Sequence, residues 1–332
     1  MLLLVPHLFP NARLLETAAQ DLHLPALQTL LARGSRRPCP AAGVEAAVCE
    51  ALGIARQQDW PMAPITLGAD GGVAGDAYWL RADPVHLRVM RDRIVLADSS
   101  ALDLARDEAD ALAETIGAHF GAALNPQPLH PHRWYLRYPE APQLATTPLS
   151  LAVGCDIDPL LPQGPDAMRF RAELNELQML LHEHPVNLAR EARGALAVNS
   201  LWLWGGGRLP VACATPVPLH ADNAEALALG GFCNARVQAL PSRPDTQAFA
   251  AEGIMLLDAL TRSGQIGDAY GWREALRDLE QDWFVPLLGA LRKLGPSGLR
   301  LLDPISGHAL HLHAHDAWKF WRRPQSLISQ LT

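Results

Sequence analysis

A chain of 332 residues, 49% hydrophobic and 19% charged, is long and apolar enough for two domains, or for one large domain with an insertion, and it is not a disordered composition. A net charge of −7, scattered along the sequence, argues against a DNA or RNA partner. Arginine carries almost all the positive charge, with Lys293 and Lys319 the only lysines; this suits carboxylate or phosphate recognition, although biased base composition has the same effect.

Taken in order, "MLLLVPHLFP" reads as a buried first strand entering a loop. It lacks the basic start and length of a secretory leader. "LHLPALQTLLARG" predicts a short helix begun by Pro25 and ended by Gly34. "GADGGVAG" is a turn, followed by strands in "DAYWLRAD" and "VHLRVMRDRIVLAD", with Val85, Leu87 and Val89 alternating against His86, Arg88 and Met90. "DEADALAETIGAHFG" places Ala109, Leu112, Ile116 and Phe120 on one helical face. After the linker "NPQPLHPH" comes a strand in "RWYLRYP". The clearest helix lies in "GPDAMRFRAELNELQMLLHEHP", striped by Phe170, Leu174, Leu177 and Leu181 and closed by Pro185. "VNSLWLWGGG" reads as a buried strand, and "WREALRDLEQDWF" as a helix striped by Trp272, Leu276, Leu279 and Trp283, which Pro286 either kinks or follows with a new one. The last stretch predicts a hairpin plus an aromatic anchor at Trp318 and Trp321.

No apolar run is long enough to span a bilayer, so no membrane partner is expected. Cys39, Cys49, Cys155, Cys213 and Cys233 are odd in number and form no Cys-x-x-Cys pair, which points to reduced thiols in a cytoplasmic protein. Cys49 and Cys155 carry no readable pairing with a histidine that would make either a nucleophile.

The stretch Leu180 to Gly207 concentrates polar groups. His184, Asn187, Arg190 and Asn199 could gather around an anion while Gly205 to Gly207 let backbone N–H groups approach it. A proline-stopped helix, a polar loop and a glycine turn explain the same residues. His311, His313 and His315 alternate, so on a strand they share a face, and with Asp303 or Asp316 they offer N and O ligands for zinc; an exposed strand is the alternative.

"HEHPVNLAREARGALAVNSLWLWGGG" resembles the His-Pro-Val-Asn, Arg, Pro-Ala-Asn, Arg-Gly-x-Gly stretch of archaeal-type cofactor-independent phosphoglycerate mutases. "LPALQTLLARG", "GDAYWLRADPVHL" and "HRWYLRY" are similar, in order, to further segments of that family, and the whole pattern resembles the phosphoglycerate mutase-like group called RpfE-type regulatory proteins. The resemblance implies an α/β fold of the alkaline phosphatase type: a mixed α/β/α core, expected from residues 1–70 and 195–332, interrupted by an α+β substrate-type domain at 71–194. It also implies a ligand-holding set of Arg81, Arg133, His184, Asn187, Arg190 and Asn199.

The same comparison implies a catalytically degenerate member. Val5-Pro6-His7 stands where the family has an Asp-Gly metal pair. "GVEAAVCEALG" offers Val44 and Glu45 where it has a serine nucleophile. "DAYGWRE" keeps Asp268 but has Trp272 and Arg273 for a histidine and an aspartate, and an Asp-His pair becomes Asp303-Pro304. Trp204 replaces the arginine before the glycines. Two-metal phosphoryl transfer loses its basis without these groups. The expectation is therefore a regulatory protein without cofactor that binds a small anionic metabolite. The alternatives are a manganese or zinc enzyme with a site rearranged around Asp268, Asp303, His311, His313 and His315, and a protein-interaction module with an empty ancestral cleft.

Overall fold

The computed structural model describes residues 1–97, 101–212 and 217–331; Cys213 and Asp98, the end of the second predicted strand pair, lie outside them. Its strands are β1 (Leu2–Leu4), β2 (Ser35–Pro38), β3 (Tyr78–Val85), β4 (Leu87–Val89), β5 (Ile94–Leu96), β6 (Gln127–His130), β7 (Arg133–Tyr138), β8 (Ser200–Gly207), β9 (Leu219–His220), β10 (Val237–Gln238), β11 (Ile254–Leu256), β12 (Leu299–Asp303) and β13 (His308–Leu312). The class is mixed α/β, and the chain divides into two compact units: residues 1–53 with 213–332, and residues 54–212.

The first unit is built on a seven-stranded sheet in the order β10-β9-β11-β1-β12-β13-β2. Strand β1 lies parallel between β11 and β12, while β12, β13 and β2 run antiparallel to one another in turn. Leu3, Met255, Leu301 and Leu310 of the sheet share a core with Leu27 and Leu30 of helix Pro25–Arg33 and with Trp272, Leu276 and Trp283. Helix Pro25–Arg33 has no side-chain cap of its own. Glu280 supplies one, its carboxylate accepting from the backbone N–H groups of Ala26 (2.7 Å) and Leu27 (2.9 Å), where a helix start favours negative charge. Glu280 opens a π-helical turn, Glu280–Phe284, joining helices Ala269–Leu279 and Val285–Ala290; Pro286 thus sits in the first turn of a new segment.

The second unit holds the antiparallel sheet β6-β7-β3-β8 and the separate hairpin β4-β5. Alternation along β3 sends Tyr78, Leu80 and Ala82 into a core with Leu112 and Ile116 of helix Arg106–Phe120 and Phe170, Leu174, Leu177 and Leu181 of helix Ala167–His182. On the opposite face, Trp79 and Tyr135 pack with Ala63 and Leu67 of helix Met62–Ala69.

That helix and β8 move the unit boundaries. The expected limits at 70/71 and 194/195 fall inside the second unit, because helix Met62–Ala69 packs on β3 and β8, and β8 is itself paired with β3. Three smaller readings also change. "NPQPLHPH" contains β6. Pro185 does not merely close a helix but opens another, Pro185–Ala192. Trp318 and Trp321 are not docked: they are 58% and 65% exposed.

Candidate functional site

Arg81 and Asp83, two residues apart on β3, project to the same face and form a bidentate pair: Nε to Oδ1 at 2.9 Å and Nη2 to Oδ2 at 2.8 Å, both side chains almost fully buried. Arg81 Nη1 also donates to Thr66 Oγ1 at 3.2 Å, and its guanidinium lies 4.9 Å from the Trp204 ring and 5.5 Å from that of Tyr135. Asp83 accepts further from Trp204 Nε1 (2.8 Å) and from the Trp134 backbone N–H (3.3 Å). Nearby, Arg133 donates to both oxygens of Asp70, at 2.8 and 2.5 Å, and the Tyr135 hydroxyl donates to the same carboxylate at 2.6 Å. Burial works to raise the Asp70 pKa. The bonds from Arg133 and Tyr135, with the charges of Arg133 and Arg81, outweigh it and hold the carboxyl below its ordinary range.

The polar stretch after helix Ala167–His182 is satisfied by the chain itself. His184 caps helix Pro185–Ala192, its Nδ1 accepting from the Val186 N–H at 3.2 Å, and its Nε2 lies 3.0 Å from Thr115 Oγ1; burial pushes the imidazole below its ordinary pKa. Asn187 donates to the carbonyls of Leu181 (2.8 Å) and Val198 (2.7 Å) and accepts from the Val198 N–H (2.9 Å). Asn199 accepts from the Leu87 N–H at 2.7 Å and donates to its carbonyl at 2.9 Å. Arg190 donates to the carbonyls of Leu196 (2.8 Å), Asp103 (3.3 Å) and Leu102, and to Glu108 Oε2 at 2.5 Å.

These six residues were expected to face one anion. Their hydrogen bonds go instead to the chain itself: Arg81 and Arg133 to Asp83 and Asp70; His184, Asn187 and Arg190 to the helix ends around Thr115, Val198 and Glu108; and Asn199 to Leu87. The carboxylates Asp70, Asp83 and Glu108 are what the sequence reading missed. Asp83 alone had a local signal, its i, i+2 relation to Arg81 on a strand. Asp59 was missed too: it is buried and accepts from Thr146 through N–H (3.1 Å) and Oγ1 (2.6 Å), and burial raises its pKa.

The glycines have a packing role. A Cβ on Gly205, whose φ is +67°, would fall 2.8 Å from Met62 Cβ, and one on Gly207 would fall 2.7 Å from Pro61 Cβ. They let helix Met62–Ala69 and the residue before it approach β8 closely.

In the first unit the metal-type residues are likewise engaged. Asp303, fully buried, accepts from the backbone N–H groups of His7 (3.1 Å), Phe9 (2.9 Å), Ile305 (3.0 Å) and Ser306 (3.4 Å). Asp268 caps helix Ala269–Leu279 through the Gly271 N–H at 3.0 Å. Trp272 is buried and donates from its indole to the His7 carbonyl at 2.9 Å. Strand β13 ends at Leu312, so His311 does not share a strand face with His313 and His315. The latter two stack, ring centroids 5.4 Å apart, at the start of a 3₁₀ turn. Burial first, then the charges of Arg37 and Arg300, lower the His311 pKa. Among the described residues no three His, Cys, Asp or Glu side chains converge as a metal-binding group. The Cys49 thiol is buried and its pKa is pushed well above the ordinary thiol value by that burial, the opposite of an activated nucleophile.

The two units thus define a mixed α/β protein whose conspicuous arginines each hold an internal carboxylate. No protein-family model matches the chain. A probable 2,3-bisphosphoglycerate-independent phosphoglycerate mutase of Geobacter sulfurreducens is 29% identical over 153 residues, 45% of this chain and 38% of that protein. The 2,3-bisphosphoglycerate-independent phosphoglycerate mutase of Methanosarcina mazei is 29% identical over 137 residues, 40% of this chain and 34% of that one. The match therefore spans well under half the length of these curated relatives. Among solved structures, the chain is similar to the cofactor-independent phosphoglycerate mutase from Thermoplasma acidophilum, with a TM-score of 0.47 and 16% identity over 99% of this chain and 94% of that one. Over these segments the chain is similar in sequence to 2,3-bisphosphoglycerate-independent phosphoglycerate mutases.

Proposed function

We propose that this phosphoglycerate mutase-like chain has no phosphoryl-transfer chemistry and works as a regulatory binding module in the cytoplasm. One observation carries the reading: the donor set offered in place of the family's metal ligands is already used. Asp303 has its oxygens on four backbone amides, and the buried indole of Trp272 is bonded to His7. These residues do not fit a pair of divalent ions, so neither manganese nor zinc enters the reading.

The arginines weigh the choice of partner towards a macromolecule rather than a small anion. Arg81, Arg133 and Arg190 are paired with Asp83, Asp70 and Glu108. A phosphate or carboxylate would have to displace an internal carboxylate from each, leaving that carboxylate uncompensated. The test is to assay the full chain, with manganese or zinc added, for 3-phosphoglycerate mutase and phosphatase activity, and to titrate it calorimetrically with phosphate, sulfate and 3-phosphoglycerate. The expected result is no turnover and no saturable heat. Turnover abolished by a chelator overturns the loss of catalysis; saturable heat abolished by Arg81→Ala returns the metabolite-binding reading.

A further inference from the structure

Residues 314–323 stand apart from the acidic character of the chain. Trp318, Phe320 and Trp321 are 58%, 75% and 65% exposed, an unusual concentration of large aromatic surface. The backbone that carries them is anchored. Arg33 Nη1 donates to the Ala317 carbonyl at 3.1 Å and Arg322 Nη1 to the Gly34 carbonyl at 3.3 Å. Lys319 Nζ reaches the Arg33 carbonyl at 3.5 Å and pairs with Asp316 at 2.5 Å. The aromatic rings are therefore held outward by a fixed turn.

The same contacts gather positive charge. Arg33, Lys319 and Arg322 meet here, Arg323 follows in sequence, and the Arg292 guanidinium lies 4.5 Å from the Trp318 ring. The carboxylate in these contacts, Asp316, is buried and compensated by Lys319. A chain of net charge −7 thus places Arg33, Arg292 and Arg322, with Arg323 next in sequence and beyond the compensated Lys319–Asp316 pair, beside three exposed aromatic rings.

We propose that this face, Trp318 to Arg323 with Arg33 and Arg292, docks the protein on an anionic phospholipid surface. Aromatic rings with an apolar body and polar edge settle at headgroup depth, and flanking arginine and lysine bind the negative surface. No helix among the described residues is long and apolar enough to cross a membrane, and peripheral docking needs none. The geometry disfavours single-stranded nucleic acid, which wants parallel faces for successive bases. Phe320 and Trp321 meet edge-on, at 79°, and Arg292 covers one face of Trp318. A second copy of the chain is disfavoured because two such faces would bring like charges together. The inference does not depend on the loss of catalysis proposed above.

The experiment is co-sedimentation of the full chain with vesicles of phosphatidylcholine alone or mixed equally with phosphatidylglycerol. Binding is expected to the mixed vesicles only, weakening as salt is raised. Phe320→Ser/Trp321→Ser should lower it about tenfold or more, and Arg323→Ala about fivefold. Because these side chains are exposed, thermal melting of each variant should match the parent, which separates lost docking from lost folding. Three outcomes overturn the proposal: failure of the parent to sediment with the anionic vesicles, equal binding by the variants, or binding of a single-stranded oligonucleotide or self-association without vesicle binding.

Discussion

Arg190 and Glu108 meet at 2.5 Å across two helices of the second unit, with the arginine side chain wholly buried and the glutamate 12% exposed. Glu108 also receives Arg193 at 2.6 Å and the Ala105 N–H at 3.1 Å, so one carboxylate fastens the end of helix Pro185–Ala192 to the start of helix Arg106–Phe120.

Arg190→Ala removes the donor to three carbonyls as well as the partner of Glu108. The expected cost is about 3 kcal/mol, in the range for breaking a buried pair. Arg190→Lys should recover only part of it, since an ammonium cannot reproduce the planar fork. Denaturant unfolding measures both, and calorimetry with phosphate should give the same heats for parent and variant. Unchanged stability with lost phosphate binding would reverse the assignment from fastening to recognition.

Trp204 is tied to Asp83 by its indole N–H and lies against Arg81. Trp204→Phe should cost about 2 kcal/mol, the loss of a hydrogen bond to a charged acceptor. Trp204→Arg should cost more, because two guanidinium groups would then share Asp83 in a buried place. A variant Trp204→Arg as stable as the parent would contradict this.

Acid should loosen the second unit. Burial raises Glu108, but the hydrogen bond from Arg193, with Ala105 N–H and Arg190, brings it below its ordinary value, as the partners of Asp70 do for that residue. A carboxyl with a lowered folded pKa stabilises fully above its unfolded value, about 4, and that contribution is lost as pH falls through the folded pKa. Unfolding free energy measured down a pH series should drop below about pH 4. Asp70→Asn and Glu108→Gln should flatten the drop; an unchanged slope in both would remove these groups as its cause.

Asp303→Asn replaces a four-fold acceptor by an amide that turns an N–H towards backbone N–H groups. A loss of about 2–4 kcal/mol is expected from the unsatisfied amides. A chelator should leave the melting temperature of the parent unchanged. A fall in melting temperature with chelator, absent in Asp303→Asn, would make this residue a metal ligand after all.

What could be read from the sequence follows how far each cause reaches along the chain. The stripes Phe170, Leu174, Leu177, Leu181 and Trp272, Leu276, Leu279, Trp283 are periodic within one helix or helical run, and all eight side chains are buried. Pro25 and Gly34 act on their neighbours and do bracket helix Pro25–Arg33. The alternation at Val85, Leu87 and Val89 misleads, because β3 ends at Val85 and Val89 lies on a hairpin at 79% exposure. Site geometry was the least legible part. Whether Arg190 binds a ligand or fastens a helix depends on Glu108 and on carbonyls near Leu102, far away in sequence, and an arginine carries no mark of which acceptor it will meet.

The position of β1 sets the order in which the molecule can be made. This strand is made well before its partners β11 and β12, which arrive only after the chain has passed Ile254 and Leu299. The second unit, continuous from residue 54 to 212, can close while β1 and β2 still wait. Strands β1 and β2 are therefore both long without a neighbour, and the seven-stranded sheet is completed late, through contacts of high sequence separation that fold slowly. Synthesis rate and chaperone supply should govern the yield of the first unit far more than that of the second.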